Sequence, residues 1–161
     1  MFKEEKIVSE NDLELDGEII LFDGKPFCGV CIDYFENGKK ESEKHYKDGK
    51  LHGPRIIWYE DGQKNFEGLY KYGKLDGLRT DWYESGQKEY EGHYKNGEPD
   101  GLWTYWYESG QKELEGHYKN GKKDGLVIEW SKSGKKKYQG HFKNGNECKS
   151  SNECGTKLEF S

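Results

Sequence analysis

The chain repeats itself every 24 residues, five times in succession. A period of that size marks stacked arrays, in which each unit buries its face mainly against the next. Gly29, Gly53, Gly77, Gly101 and Gly125 open the units. Gly38, Gly62, Gly86, Gly110 and Gly134 recur inside them at constant spacing, as do Gly49, Gly73, Gly97, Gly121 and Gly145. Aromatic columns keep the same step: Tyr34, Trp58, Trp82, Trp106 and Trp130, then Tyr46, Tyr70, Tyr94, Tyr118 and Phe142. The repeat block covers 29–148. An acidic segment, 1–28, precedes it and is expected to supply a capping strand, and a tail or cap, 149–161, follows where the period is lost.

Only 31% of the residues are hydrophobic and the mean hydropathy is -1.21, so a thick core is out of reach. Disorder would fit those values, but the 15% aromatic content, spaced at fixed intervals, does not. The reconciliation is a thin structure ordered by neighbour contacts. A net charge of -5 without a continuous basic stripe argues against nucleic acid as a partner. Lys135, Lys136 and Lys137 are a local basic exception and read first as a solvated turn and strand start. No apolar run approaches membrane-spanning length. The N-terminus is acidic and lacks the apolar middle of a signal peptide, so a cytosolic protein is expected, with its four cysteines as reduced thiols.

Each unit holds two glycine turns, Glu-Ser-Gly-Gln at 84–87 and 108–111, and Lys-Asn-Gly at 95–97, 119–121 and 143–145. Such turns join hairpin strands, because glycine accepts the positive φ they need. The segments between them, such as 102–107 and 112–118, are too short for helices and alternate as strands do. Two strands per unit predict an all-β fold: an elongated, open, single-layer antiparallel meander of repeated hairpins. Glu18 to Phe22 is expected to form its first strand, followed by a turn at Asp23-Gly24, while 1–16 either caps the array or stays loose.

Alternation puts Leu102, Thr104 and Trp106 on one side and Trp103, Tyr105 and Tyr107 on the other. A three-residue loop with a glycine bulge preserves parity, so Leu114, Gly116 and Tyr118 are expected to join the Leu102 side. A two-residue loop would instead split the Trp and Tyr columns between faces. The parity-preserving register sets Arg55 opposite Glu67 and Arg79 opposite Glu91, with the like-charged pair Asp81 and Glu89 counting against it. Gly68, Gly92, Gly116 and Gly140 lie within the second strands, where the absent side chain leaves room for rings.

Several constellations invite chemistry. His45, His93, His117 and His141 share a column with Leu69, but equivalent atoms in adjacent units stand about 10 Å apart, too far to share a metal ion. Cys28 and Cys31 have the spacing of zinc and redox pairs, with Cys148 and Cys154 a looser second pair. An open ribbon holds the two pairs at opposite ends, which leaves ordinary residues near turns as the reading, with bridging between chains open. No nucleophile-base arrangement, phosphate loop or cofactor motif stands out, so neither enzyme activity nor a cofactor is expected. What does stand out is the exposed aromatic set Trp103, Tyr105 and Tyr107, extended by Tyr83, Tyr59 and Ile57. Such rings anchor protein contacts, although a thin sheet also needs both faces partly covered.

Units such as GLWTYWYESGQKELEGHYKNGKKD resemble the bacterial variant of the MORN repeat (membrane occupation and recognition nexus). The first unit departs most, with Lys44 in place of the glycine and Ser42 in place of the aromatic. Ser131 and Lys132 stand where the last unit would carry Tyr and Glu. Chains of this kind are similar to YwqK-family antitoxins. That resemblance implies a non-catalytic protein that neutralises a protein partner, such as a toxin encoded nearby, by covering it. The alternative it implies is a scaffold attached peripherally to anionic phospholipid through Lys135, Lys136 and Lys137. Pairing of edge strands between copies of the chain also stays open.

Overall fold

The computed structural model describes residues 6–149 and 154. The N-terminal part holds β1 (Ile7–Val8), a 3-10 turn (Glu10–Asp12), β2 (Glu14–Asp16), β3 (Ile19–Phe22) and β4 (Lys25–Pro26). The repeats supply β5 (Gly29–Tyr34), β6 (Lys40–Lys47), β7 (Lys50–Trp58), β8 (Lys64–Lys71), β9 (Lys74–Trp82) and β10 (Lys88–Lys95). They continue with β11 (Glu98–Trp106), β12 (Lys112–Lys119), β13 (Lys122–Trp130), β14 (Lys136–Lys143) and β15 (Asn146–Glu147). Strands β5 to β15 pair in sequence order as an antiparallel meander, and β1 joins the outer edge of β5 in parallel to complete a sheet of 12 strands. The open all-β ribbon expected from the period is the fold.

The Asn-Gly turns are two-residue loops: Lys95 pairs with Glu98, and Asn96 and Gly97 between them have φ of 53° and 87°. Positive φ at both positions matches the twist of the flanking strands, which is why Asn-Gly suits them. Each turn also holds the repeat before it. The amide N–H of Gly97 donates to the carbonyl of Leu75, Gly121 to Pro99 and Gly145 to Lys123, at 2.7–2.9 Å.

The Glu-Ser-Gly turns are three-residue loops with glycine at positive φ, as expected: Tyr107 donates to the Gln111 carbonyl and Gly110 to that of Tyr107. The register one step further in is not as expected. Trp106 pairs with Lys112, but Tyr105 pairs with Leu114, because Glu113 bulges out of the ladder. That extra residue reverses the parity the loop had preserved. Arg55 therefore stands opposite Gly68, not Glu67; Arg79 stands opposite Gly92, not Glu91; and Asp81 faces Tyr90, not Glu89. The like-charge clash disappears, and the Trp and Tyr columns lie on opposite faces.

The N-terminal segment differs from a plain first strand. Ile19–Phe22 is a strand, turned back through Asp23 and Gly24 at positive φ, but it belongs to a separate sheet of three strands, β2-β3-β4. It abuts the array through the Ile20 amide donating to the Gly49 carbonyl and the Gly49 amide donating to that of Phe27, both within 2.9 Å. Between the two sheets Val8, Phe27 and Cys31 form a small buried core, packed by Leu13, Ile20, Phe22 and Tyr46. From the second repeat on, the buried hydrophobic side chains, Phe66, Tyr90, Trp103 and Val127, lie on one face of a single layer. The cap folds a second layer over the first repeat.

Candidate functional site

The bulges divide the strand side chains into a ring face and a tryptophan face. On the ring face, Tyr90, Gly92 and Tyr94 of β10 neighbour Trp103 and Tyr105 of β11, which neighbour Leu114, Gly116 and Tyr118 of β12. Trp103 is 8% exposed. Its ring centroid lies 5.0 Å from that of Tyr90, 5.1 Å from Tyr94 and 5.0 Å from Tyr118, and its indole N–H donates to the His93 carbonyl at 3.0 Å. Gly92 lies beneath: a Cβ there would stand 2.7 Å from the Tyr90 hydroxyl and 2.9 Å from the Trp103 ring. Glycine in the strand and aromatic above it are thus one packing unit. Trp103 and Tyr105 consequently lie with the packed Tyr column, not opposite it, and Trp103 acts as the keystone of a ring cluster.

Tyr59, Tyr83 and Tyr107 are held differently. Their hydroxyls donate to the backbone carbonyls of Trp82, Trp106 and Trp130, one repeat further on, at 2.6, 2.8 and 2.9 Å. They rivet one repeat to the next. Ile57 lies on the ring face opposite Phe66. Tyr105 and Tyr107 line a shallow groove of about 410 Å³ together with Leu114, Tyr118, Glu129, Trp130 and Lys137. Burial raises the Tyr105 hydroxyl above its ordinary pKa, keeping it neutral and able to donate.

The tryptophan face carries a repeating polar motif. The ammonium groups of Lys40, Lys64, Lys88 and Lys112 lie 5.7–6.0 Å from the ring centroids of Trp58, Trp82, Trp106 and Trp130. Each also pairs with a glutamate three residues on, Glu43, Glu67, Glu91 or Glu115. Leu69, Leu78 and Leu102 are 44%, 37% and 40% exposed on this face. Lys136 has Gln139 where the earlier repeats have glutamate, and its amine donates to that side chain at 2.6 Å. Lys135 and Lys137 are exposed.

The histidine column covers glycines. A Cβ at Gly53, Gly101 or Gly125 would lie 3.0–3.2 Å from the Cβ of His45, His93 or His117. Among the described residues no group of three or more potential ligands could hold a metal ion. Cys31 is fully buried and its thiol is pushed up to about 12, first by burial and then by Asp33, whereas Cys28 is exposed. The expectation of four reduced thiols is corrected at the other end. Cys148 and Cys154, with Cα atoms 5.7 Å apart, form a disulfide.

Two arrangements escaped the sequence reading. In the first repeat, Ser42 and Lys44 replace the aromatic and its glycine. The buried Ser42 hydroxyl donates to Asp33 Oδ2 at 3.1 Å, and Lys44 Nζ lies 2.9 Å from Glu10 Oε2 and 3.9 Å from Asp33 Oδ2. In the third, Arg79 donates through Nε and Nη2 to the carboxylate of Asp81, with Nη2 2.7 Å from Oδ2. The signal for both was available in the altered repeat positions: the Ser42 pair needs the bulged register, whereas Arg79 and Asp81 share a face by alternation within one strand.

No helix among the described residues is long and apolar enough to cross a membrane. No curated protein matches the chain. The MORN repeat variant model matches five times, at residues 27–48, 51–72, 75–96, 99–120 and 123–144, and the matches together span well over half of the sequence. MORN repeats serve as protein- and membrane-binding modules. With its 24-residue step, paired glycine turns and open ladder of hairpins, the chain belongs to the MORN repeat variant family.

Proposed function

We propose that the chain is a non-catalytic protein-binding module of the antitoxin or immunity type, which neutralises a protein partner by covering it. The observation that carries this reading is the groove lined by Tyr105, Tyr107, Leu114, Tyr118 and Trp130, an aromatic depression rimmed by Glu113, Glu129 and Lys137. Tyrosine suits such a site because its rigid ring buries area at small entropic cost and its hydroxyl still finds a partner. Trp103 packs beside the groove against Tyr105 and Tyr118, and Tyr59, Tyr83 and Ile57 continue its aromatic and apolar trail toward the second repeat.

The test is capture of the product of a neighbouring gene, measured by calorimetry with the full chain. Tyr105→Ala is expected to weaken binding by about 2 kcal/mol, the scale of an interface anchor. Undiminished affinity in Tyr105→Ala and in a Tyr107→Ala variant would remove the groove from the reading. Absence of any neighbouring partner would remove the antitoxin assignment itself.

Attachment to anionic lipid is the second reading, favoured by Lys135, Lys136 and Lys137 all standing exposed where the turn of the last repeat enters its strand. Sedimentation with phosphatidylserine vesicles at low salt tests it, and protein left wholly in the supernatant would dispose of it. Cytosolic residence belongs to the same proposal. Disulfides persist mainly in oxidising compartments, so a Cys148–Cys154 bridge found intact in cells would count against cytosolic residence. Alkylation of freshly lysed cells followed by intact-mass measurement reads that directly.

A further inference from the structure

The chain has two arginines, Arg55 and Arg79, and they occupy the same position in consecutive repeats. Both lie on the ring face over Phe66, with guanidinium carbons 5.5 and 5.2 Å from its ring centroid. They differ in what stands two residues on. Arg79 has Asp81, whose carboxylate accepts from Nε and Nη2 side-on. Arg55 has Ile57 there. Its Nε is shielded from water and has no hydrogen-bond partner among the described residues. The nearby acids are engaged or exposed: Glu10 pairs with Lys44, Asp33 with Lys44 and Ser42, and Asp81 with Arg79, while Glu41 and Glu89 are exposed.

A guanidinium is always charged, and a buried N–H without an acceptor costs free energy that a carboxylate would recover. Lys44 stands directly across the strand from Arg55, a like-charge neighbour that raises the demand for an anion between them. Arg55 lines a groove on each side, one of about 760 Å³ shared with Ser42, Lys44 and Ile57 and rimmed by Glu10, Asp33 and Glu41, the other of about 390 Å³ shared with Phe66 and Arg79 and rimmed by Asp81 and Glu89.

We infer that Arg55 is a docking point for a carboxylate of a partner protein, which takes on Arg55 the place that Asp81 takes on Arg79. The occupant is an acidic polypeptide segment whose aspartate or glutamate side chain enters along the groove and pairs with the guanidinium, with Ile57 and Phe66 as apolar flanks. The inference rests on the binding-module reading and adds the partner's chemistry at a point separate from the Tyr105 groove.

Because the chain has two arginines, their Nε–H resonances can be followed in the intact protein. The probe is a capped decapeptide of alternating glutamate and glycine, with its glutamine counterpart and inorganic phosphate as controls. The glutamate peptide is expected to shift the Arg55 signal and leave that of Arg79 in place. Arg55→Lys should weaken the interaction about tenfold, since an ammonium cannot offer two parallel donors. Ile57→Asp should abolish it by supplying an internal carboxylate, while the amide spectrum stays folded. No shift at Arg55, an equal shift at Arg79, an equal effect of the glutamine peptide or of phosphate, or full binding by Ile57→Asp would each overturn the inference. Those outcomes leave the capture experiment at Tyr105 standing, and a negative result there leaves this titration to be judged by itself.

Discussion

The first and fourth repeats are built on the same backbone and filled in opposite ways. In the fourth, a large ring lies over a glycine: Trp103 packs among Tyr90, Tyr94 and Tyr118, with Gly92 and Gly116 directly across the strands. In the first, Ser42 and Lys44 take the ring and glycine positions, and the N-terminal 3-10 turn fills the space, with Glu10 donating its amide N–H to Asp33 Oδ1 at 2.9 Å. An interior repeat can lean on rings from both sides. An end repeat has a neighbour on one side only, and its polar fittings let a different structure dock there.

Trp103→Ala should test that contrast hardest, with an expected loss of about 3–5 kcal/mol, the cost of emptying a packed aromatic site. Chemical denaturation measures it, and a loss under about 1 kcal/mol would mean the ring cluster is surface decoration. Gly92→Ala comes next at about 2–3 kcal/mol, because its Cβ would meet Tyr90 and Trp103 inside contact distance. Gly116→Ala, where the nearest atom is a Val127 methyl at 3.2 Å, should cost about half as much. Equal losses would show that ring crowding does not set the glycine column.

On the other side of the contrast, Ser42→Ala removes the hydroxyl that Asp33 accepts from, for an expected 1 kcal/mol or so. The loss should vanish once Asp33 is changed to Ala in the same chain, which removes the acceptor, and a double-mutant cycle reads that coupling. The smallest effect at neutral pH belongs to Tyr46→Phe, which should be nearly silent at pH 7. Burial raises the Tyr46 hydroxyl from 10.0 to about 12, with Cys31 adding to the shift. A raised folded pKa gives stability that is complete below pH 10 and is lost as pH climbs toward 12. Thermal melts from pH 9 to 12 should therefore fall less steeply for Tyr46→Phe than for the parent.

Much of this was legible beforehand. The meander followed from glycine columns, since Asn-Gly and Ser-Gly turns between short alternating segments leave few other architectures. Face assignment failed on a single unit of register. Nothing in Glu113 or its equivalents announces a bulge, because an unpaired residue beside a turn is a backbone event that many side chains tolerate. That one shift moved Trp103 from an exposed anchor to a buried keystone and set Arg79 and Asp81, which share a face by alternation, opposite Gly92 and Tyr90. The cap was legible as a strand at Ile19–Phe22 but not as a second layer, since its contacts depend on Phe27 and Cys31, which lie far from β1 in sequence.

The tyrosine rivets give the array a grain. Each hydroxyl reaches toward the C-terminus, from Tyr59 to Trp82, Tyr83 to Trp106 and Tyr107 to Trp130, and the positions at either end of the series are Phe35 and Ser131. Trimming from the C-terminal side strips an acceptor from a tyrosine that remains behind, whereas trimming from the N-terminal side takes donor and bond away together. Such a ribbon should unravel more readily from one end than from the other.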